Sequence, residues 1–496
     1  MTPTTTTHSP TAHRTRARSR RRRQAVLATA FAALLAACAQ LPKDESRDAP
    51  LQPVDRYATE RSFAGAMMAW PVESWWSSYR DAQLSQLITE ALAGSPSIAT
   101  ADARLRRARA LAQSADAARS PQLNFNASIT EQKQSYNHLS PRSATPEGWN
   151  DYGRATLDFS WDLDFWGRNR AALAAATSEA DAAQADAAQA RLMLATAIAS
   201  AYAELARLHA ARDTTSAALE VRTRTAELFT ERFQHGLETI GSVRQVEARR
   251  AGTHAELLAL DEQLGLQRHR LAALAGAGPD RALVIERPTV QLSAGFGLPS
   301  QLAADLIGRR PDIVAARLRA EAAAKRIDQA KAAFYPNVNL LAFVGVQSLG
   351  LDVLARGGSS IGSVGPAISL PIFDGGRLRA QLGGAHADYA QAVASYDGTV
   401  VQALQEVADA ALSQRALAPQ LARSTEAVDA SREAWQVQNN RYTGGLATYL
   451  EVLSAEDTLL SALRTQSDLQ SRAFSLDVAL VRALGGGYAT PTTTTN

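Results

Sequence analysis

The sequence predicts a chain of mixed α and transmembrane-β class, built as two copies of one unit. Three observations predict it. A strictly alternating stretch, Ala155–Arg168 (ATLDFSWDLDFWGR), runs into an Ala-rich segment that holds no proline or glycine as far as Gln234. The same event recurs 209 residues later, at Ile368–Arg377 (ISLPIFDGGR). A basic, apolar N-terminus precedes both copies.

In the opening stretch Leu157, Phe159, Trp161, Leu163 and Phe165 point one way along a strand, and Thr156, Asp158, Ser160, Asp162 and Asp164 the other. Such a wall suits lipid on one side and water on the other. As a bare pattern it also fits a half-buried strand of a soluble sandwich; the long helical run that follows is what sets it apart. At the 209-residue offset Ser160, Gly167, Arg168, Arg170 and Leu173 match Ser369, Gly376, Arg377, Arg379 and Leu382. Further on, Arg232, Gly236, Leu237, Thr239, Val243 and Glu247 match Arg441, Gly445, Leu446, Thr448, Val452 and Glu456. Upstream the offset is 215, through Pro96/Pro311, Ile98/Ile313, Pro121/Pro336 and Asn124/Asn339. The difference falls in the loop joining two strands.

Composition bounds the rest. The chain has 496 residues, 46% of them hydrophobic, with a mean hydropathy of −0.18, which argues against a bundle of membrane helices. Its net charge of +3 is misleading. Seven arginines lie between Arg14 and Arg23; without them 45 basic residues face 49 acidic ones, a net charge of −4. Nothing then calls for nucleic acid, and the basic start reads as targeting.

Residues 1–37 read as an export signal: arginines, a short apolar run from Ala25 to Ala37, then Leu35-Ala36-Ala37-Cys38. Cys38 is the single cysteine, so no intramolecular disulfide forms. Leu-Ala-Ala-Cys resembles the bacterial lipobox, which implies a lipidated Cys38 as the mature N-terminus and, with Ala39 next, sorting to the outer membrane. An ordinary signal with an incidental cysteine is the competing reading. Residues 38–60 then form a polar, extended tether.

The first repeat, 61–280, opens on an amphipathic stretch after PVESWWSS, with Leu84, Leu87, Ile88 and Leu92 at helical spacing. Pro96 begins a helix that ends before Pro121. Strands are expected at about 122–133 and 155–165, and a long helical hairpin at 168–275 that turns at His235-Gly236. A connector, 281–308, includes a candidate short strand at Leu283–Ile285. The second repeat, 309–484, repeats the plan: helix from Pro311, strands at about 337–346 and 364–373, and a hairpin at 377–484 turning near Gly444-Gly445, with Pro419 expected to kink it. Residues 485–496 read as a disordered tail.

Strands of about ten residues have the span of a transmembrane strand. Four of them leave two open edges, which lipid does not tolerate because unpaired backbone groups find no water there. A head-to-tail ring of chains closes the sheet, and the number of subunits is not fixed by that argument.

The chain resembles the TolC-like outer-membrane efflux proteins, in particular their NodT/OprM-type lipoprotein branch. The matching segments are Leu35–Cys38, Trp75-Trp76, Asp162–Arg168 (DLDFWGR), Gly308–Ile313 (GRRPDI), Phe334–Pro336 (FYP) and Leu370–Arg377 (LPIFDGGR), in order across nearly the whole mature chain. The resemblance implies a homotrimer: a twelve-stranded outer-membrane β-barrel, four strands per chain, continuous with a long periplasmic α-helical barrel. It implies a passive exit duct for drugs or toxic compounds, fed by an inner-membrane RND transporter through a periplasmic adaptor. Type I protein secretion and a structural coiled-coil envelope lipoprotein are the alternatives.

The resemblance also assigns roles. The helix tips Gly236, Leu237, Gly445 and Leu446 meet the adaptor, although the glycines also serve the turns themselves. Glu451 narrows the periplasmic end of the tunnel as an acidic ring, a solvated helix-face Glu being the bland alternative. Gly167, Arg168, Gly376 and Arg377 make the strand-to-helix turns. Asp158, Asp162 and Asp164 would face the barrel lumen and favour cations, although wetting the pore suffices to explain them. No enzyme is expected. Gly358–Gly362 (GSSIG) matches the hydrolase pattern G-x-S-x-G but lacks its strand–turn–helix setting. The six histidines after Cys38 form no metal-ligand pattern, and no cofactor is expected beyond the lipid on Cys38.

Overall fold

A computed structural model describes residues 50–53, 56–64, 66–137, 141–292, 297–300 and 302–489. The export signal, Cys38 and residues 490–496 lie outside the described residues. In chain order the elements are α1 (Ala82–Gly94), α2 (Pro96–Ala117), β1 (Gln122–Gln132), β2 (Asn150–Asp162), α3 (Arg168–Gln234), α4 (Ile240–Leu274), α5 (Leu302–Arg309), α6 (Pro311–Ala332), β3 (Asn337–Leu349), β4 (Ser360–Ser369), α7 (Arg377–Thr443) and α8 (Tyr449–Ala483). No helix among the described residues is long and apolar enough to cross a membrane.

Two compact units are present. One comprises 111–177 and 321–391 and is built on an antiparallel sheet of order β1-β2-β3-β4. Register fixes its faces. Phe125 is opposite Leu157, Leu157 opposite Val344, and Ala342 opposite Val364, so one face is apolar. That face is uncovered in the single chain: Phe125 is 68% exposed and Val364 77%. The other face carries Asn124, Asn126, Thr156, Asp158 and Asn339. β1 and β4 each keep one edge without a strand partner among the described residues.

Strand boundaries shift from those expected. β2 begins at Asn150, five residues early, and stops at Asp162, so Leu163, Asp164 and Phe165 are not strand residues. The cause is local: Asp164 takes a left-handed φ of 44° and starts the turn into α3. Likewise β4 begins at Ser360 and ends at Ser369, which leaves Leu370 and Ile372 in the turn rather than on its apolar face.

The other unit comprises 50–110, 178–320 and 392–496, as far as these residues are described. Its α-helical pairs follow from composition, since Ala, Leu, Glu, Gln and Arg all favour helix. α3 and α7 have 67 residues each, and α4 and α8 have 35 each. At 1.5 Å per residue, α3 extends roughly 100 Å. α7 runs through Pro419 as one helix. The main core gathers Trp75, Tyr79, Leu84, Leu87 and Ile88 against Ile198, Tyr202, Leu205, Leu271 and Phe474. Asp81 caps α1 through the Leu84 N–H at 2.9 Å, and it also accepts from the Tyr202 hydroxyl and the Thr289 N–H. The Tyr79 hydroxyl donates to Asp477 at 2.6 Å.

Three more expectations need correction. Within the expected tether, Leu51 and Tyr57 pack on a second apolar cluster around Leu306, Val400 and Val407. Leu283–Ile285 is no strand; a 3-10 turn occupies Pro279–Val284 because Pro279 fixes its first residue. Gly485–Tyr488 is packed rather than disordered. Gly485, Gly486 and Gly487 all take left-handed φ, and a Cβ on Gly485 would sit 2.0 Å from the Arg309 carbonyl oxygen. Only glycine approaches backbone so closely.

The GRRPDI segment gains a physical reason. Arg310 is buried and holds Asp312 with two bonds, at 3.0 and 2.6 Å, Glu406 at 2.7 Å and the Ala483 carbonyl at 3.1 Å. The start of α6, the middle of α7 and the end of α8 thus meet on one guanidinium.

Candidate functional site

The candidate residues fall into three places: the polar face of the sheet, the strand-to-helix junctions and the helix tips.

On the polar face, Asp158 is opposite Asn124 and Phe343. Its Oδ2 accepts from Asn126 Nδ2 at 2.9 Å and Thr156 Oγ1 at 2.7 Å. Asp162, opposite Asn339, shares that face but is committed to the junction. Its Oδ2 accepts from Arg168 at 2.8 Å, and its Oδ1 accepts from the Asp164 N–H at 3.0 Å. Asp164 is therefore corrected from a wall residue to a cap. It accepts from the Asn169 and Arg170 N–H groups at 2.9 and 3.0 Å, which are otherwise orphan donors at the start of α3.

The second junction repeats this logic with a residue fewer. Asp374 accepts from the Gly376 and Leu378 N–H groups at 3.0 and 2.9 Å. The Leu378 N–H, helped by that of Gly376 and by the Arg377 charge, holds its carboxyl below the usual range against the opposing effect of burial. Gly167 and Gly376 have φ of 78° and 90°, a conformation that a β-carbon disfavours, so both glycines are set by the turn. Arg168 reaches Asp162, whereas Arg377 bonds the Gln381 side chain, at 3.2 Å. Between the junctions lies a cavity of about 480 Å³, walled by Trp166, Tyr335, Arg168 and Arg377. Trp166 stacks on Tyr335 at 4.7 Å and donates to the Pro336 carbonyl, which accounts for the FYP segment.

The tips are built alike. Gly236 N–H donates to Phe233 O at 3.0 Å and Leu237 N–H to Arg232 O at 2.8 Å; Gly445 to Tyr442 O and Leu446 to Arg441 O repeat both distances. This is the Schellman ending of a helix, with glycine at φ 70° and 74°. It turns Leu237 and Leu446 outward, 64% and 74% exposed. The two tips also hold each other. Phe229 lies 4.1 Å from Tyr449, centroid to centroid, and the Tyr442 hydroxyl donates to Glu238 at 2.9 Å. Burial and then that bond push the Tyr442 hydroxyl up to about 12.

Glu451 is not idle. Its Oε1 accepts from the Thr448 N–H at 3.3 Å and from the Thr448 hydroxyl at 3.2 Å, which caps α8, and Arg441 lies 3.7 Å away. About one and a half turns further along α8 is a cluster that the sequence alone does not assemble. Arg222 on α3 bonds Glu456 at 3.2 Å, Asp457 at 2.8 Å and the Thr253 hydroxyl, and Arg249 on α4 meets Asp457 at 2.5 Å. Burial raises the Glu456 carboxyl and Arg222 pulls it back. The Glu247/Glu456 match was the available signal, but charge partners on other helices are invisible in one linear sequence.

The G-x-S-x-G pattern lies where β3 turns into β4, with Ser360 the first residue of β4, so no nucleophile elbow forms. Among the described residues no three metal-ligating side chains converge.

An amphipathic sheet with unpaired edges, whose strands lead through capped turns into helical pairs, defines the class: a membrane channel of the outer-membrane efflux type. The outer membrane efflux protein family model matches residues 87–277 and 302–486, and the chain belongs to that family. Among its relatives is the fusaric acid resistance protein FusA of Burkholderia cepacia, 40% identical over 73% of this chain and 69% of the relative. The multidrug resistance outer membrane protein MdtP of Escherichia coli strain K12 is 30% identical over 92% of this chain and 94% of that protein. Among solved structures, the outer membrane protein VceC of Vibrio cholerae superposes with a TM-score of 0.80 at 52% identity, over 84% of this chain and all of VceC. The fold is that of these trimeric channels, a β-barrel joined to a long α-helical barrel. The protein is an outer-membrane efflux protein of a family of channels, not of enzymes.

Proposed function

We propose that this protein is the passive exit duct of a tripartite efflux system, passing small toxic compounds from an inner-membrane RND transporter through a periplasmic adaptor to the exterior. The observation that carries the reading is the sheet. Its apolar face is exposed and its two edges have no strand partner among the described residues, so it is stable in lipid only when copies close it into a barrel. Three chains supply the twelve strands of the family's barrel. Cys38 anchors the mature N-terminus through covalent lipid, and no other cofactor is needed. The exposed Leu237 and Leu446 present paired apolar knobs to the adaptor. Glu451 supplies one charged ring at the narrow end of the tunnel. Relatives named for resistance to drugs or fusaric acid weigh against type I protein secretion.

The deciding experiment is electron microscopy of protein extracted from outer membranes. Hollow three-fold particles with a stalk roughly 100 Å long support the duct. Monomers, or solid rods without a barrel, would overturn it.

A further inference from the structure

The duplication in the sequence reappears as geometry in the sheet. Moving β1 on by 215 residues and β2 by 209 turns the first hairpin into the second. Asn124 opposite Asp158 becomes Asn339 opposite Ala367, Gln122 opposite Ser160 becomes Asn337 opposite Ser369, and Ser128 opposite Arg154 becomes Phe343 opposite Ser363. The two hairpins share one register, residue for residue. Between them, β2 and β3 form the inner joint, where the first copy meets the second. In a closed ring β4 meets β1 of the next chain, and there the second copy meets the first.

Faces and bond directions narrow that outer joint. Ala367 is opposite Asn339 and lies on the polar face; Ser128, two residues on from Asn126, lies there too. A slip of one residue would set polar against apolar along the whole edge. The Gln347 N–H donates to Ser359 O, so by alternation Val364, Pro366 and Ile368 turn their backbone groups to the open edge of β4. The Leu163 N–H donates to Val338 O, and the same alternation carried across β2 turns Ala127, Ile129 and Glu131 to the open edge of β1. Slips of two residues keep both conditions. The duplication chooses among them.

We propose that β4 pairs antiparallel with β1 of a second copy of this chain in the register of the inner joint, Ser363–Ser369 along Asn126–Gln132. Gly365 is then opposite Thr130, Ala367 opposite Ser128 and Ser369 opposite Asn126, as Thr156 is opposite Gly345, Asp158 opposite Phe343 and Ser160 opposite Leu341 within the chain. The inference rests on the exit-duct reading, which requires a closed barrel. It also accounts for two apolar side chains left bare at the end of the sheet. Leu163 is half-buried where its N–H meets Val338 O at 3.1 Å. The equivalent pair is Ile372 and Leu123 of the next copy, and these are 83% and 67% exposed in the single chain. The outer joint is the weaker one. Pro366, opposite Ile129, faces it without an N–H, where the inner joint has Leu157.

Cysteine pairs read the register in the full-length protein in outer membranes. Ala367 and Ser128 are turned away from the hydrogen bonds of the joint, so their Cα atoms stand about 4.5 Å apart, within the span of a disulfide. Neighbours offset by two residues lie about 7–8 Å apart, outside it. Under copper–phenanthroline, Ser128→Cys with Ala367→Cys shifts to a covalent trimer on non-reducing denaturing gels, and reductant returns it to monomer. Thr130→Cys with Gly365→Cys does the same. Each single variant stays monomeric, and so does Ala367→Cys combined with Asn126→Cys or Thr130→Cys. Wild-type protein, whose only cysteine is Cys38, gives the background. Linkage through an offset pair, or trimeric particles that neither in-register pair links, would overturn the register and leave the duct intact. Protein extracted as monomer, with no pair linked, would overturn the duct reading and this inference with it.

Discussion

At Asp477 a carboxyl faces the Tyr79 hydroxyl inside the main core, and burial, only partly opposed by that hydroxyl, raises its pKa. The folded chain therefore holds this proton more tightly than the unfolded chain, in which an aspartate titrates near 4. Stability from this group is present at low pH and declines as pH rises from about 4 through the folded value. Asp477→Asn keeps an acceptor for Tyr79 and does not titrate. It should melt above wild type at pH 7, with the gap closing towards pH 4; thermal denaturation at both values checks this. Glu451 calls for a different choice of variant. Glu451→Ala would remove both a charge and a helix cap worth about 1 kcal/mol. Glu451→Gln keeps the bond to Thr448 and removes only the charge. If the ring narrows the tunnel, Glu451→Gln raises single-channel conductance and antibiotic entry; unchanged permeability takes Glu451 out of the gate.

At the scale of elements, Arg310 joins three helices in a place where water cannot substitute. Asp312→Ala leaves the buried guanidinium with only Glu406 and the Ala483 carbonyl, and losing two charge-assisted bonds should cost about 3 kcal/mol, visible as a lower melting temperature. Glu406→Gln, which retains an acceptor, should cost less. The same scale shows what the sequence could reveal. Alternation, proline placement and the duplication were enough to name the strands, the long helices and both turns, because each is a local or repeating property. Strand ends were harder to read. Asp164 continues the alternation of β2 perfectly, yet its carboxylate is better used on the bare N–H groups of α3, and the strand stops two residues earlier. Opening the second strand at Ala155 left Arg154 outside it, although Arg154 obeys the same alternation one step upstream. The partners within the Arg222–Glu456–Asp457 cluster and the packing of Gly485–Tyr488 were not legible, since both depend on which helices become neighbours.

At the scale of the molecule, the two repeats agree in more than sequence. Each outgoing helix has 67 residues and each returning one 35, although of the two outgoing helices only the second contains proline and glycine. The two turns come level, and Phe229, Tyr442, Tyr449 and Glu238 knit them together. Such a design has almost no dimensional tolerance. One residue added to a single helix advances its end by about 1.5 Å and rotates it by about 100°, enough to swing Leu237 or Leu446 off the rim. Length in this molecule works as a ruler cut in matched sets: evolution can shorten or extend the stalk only by changing all four helices together, and by whole turns.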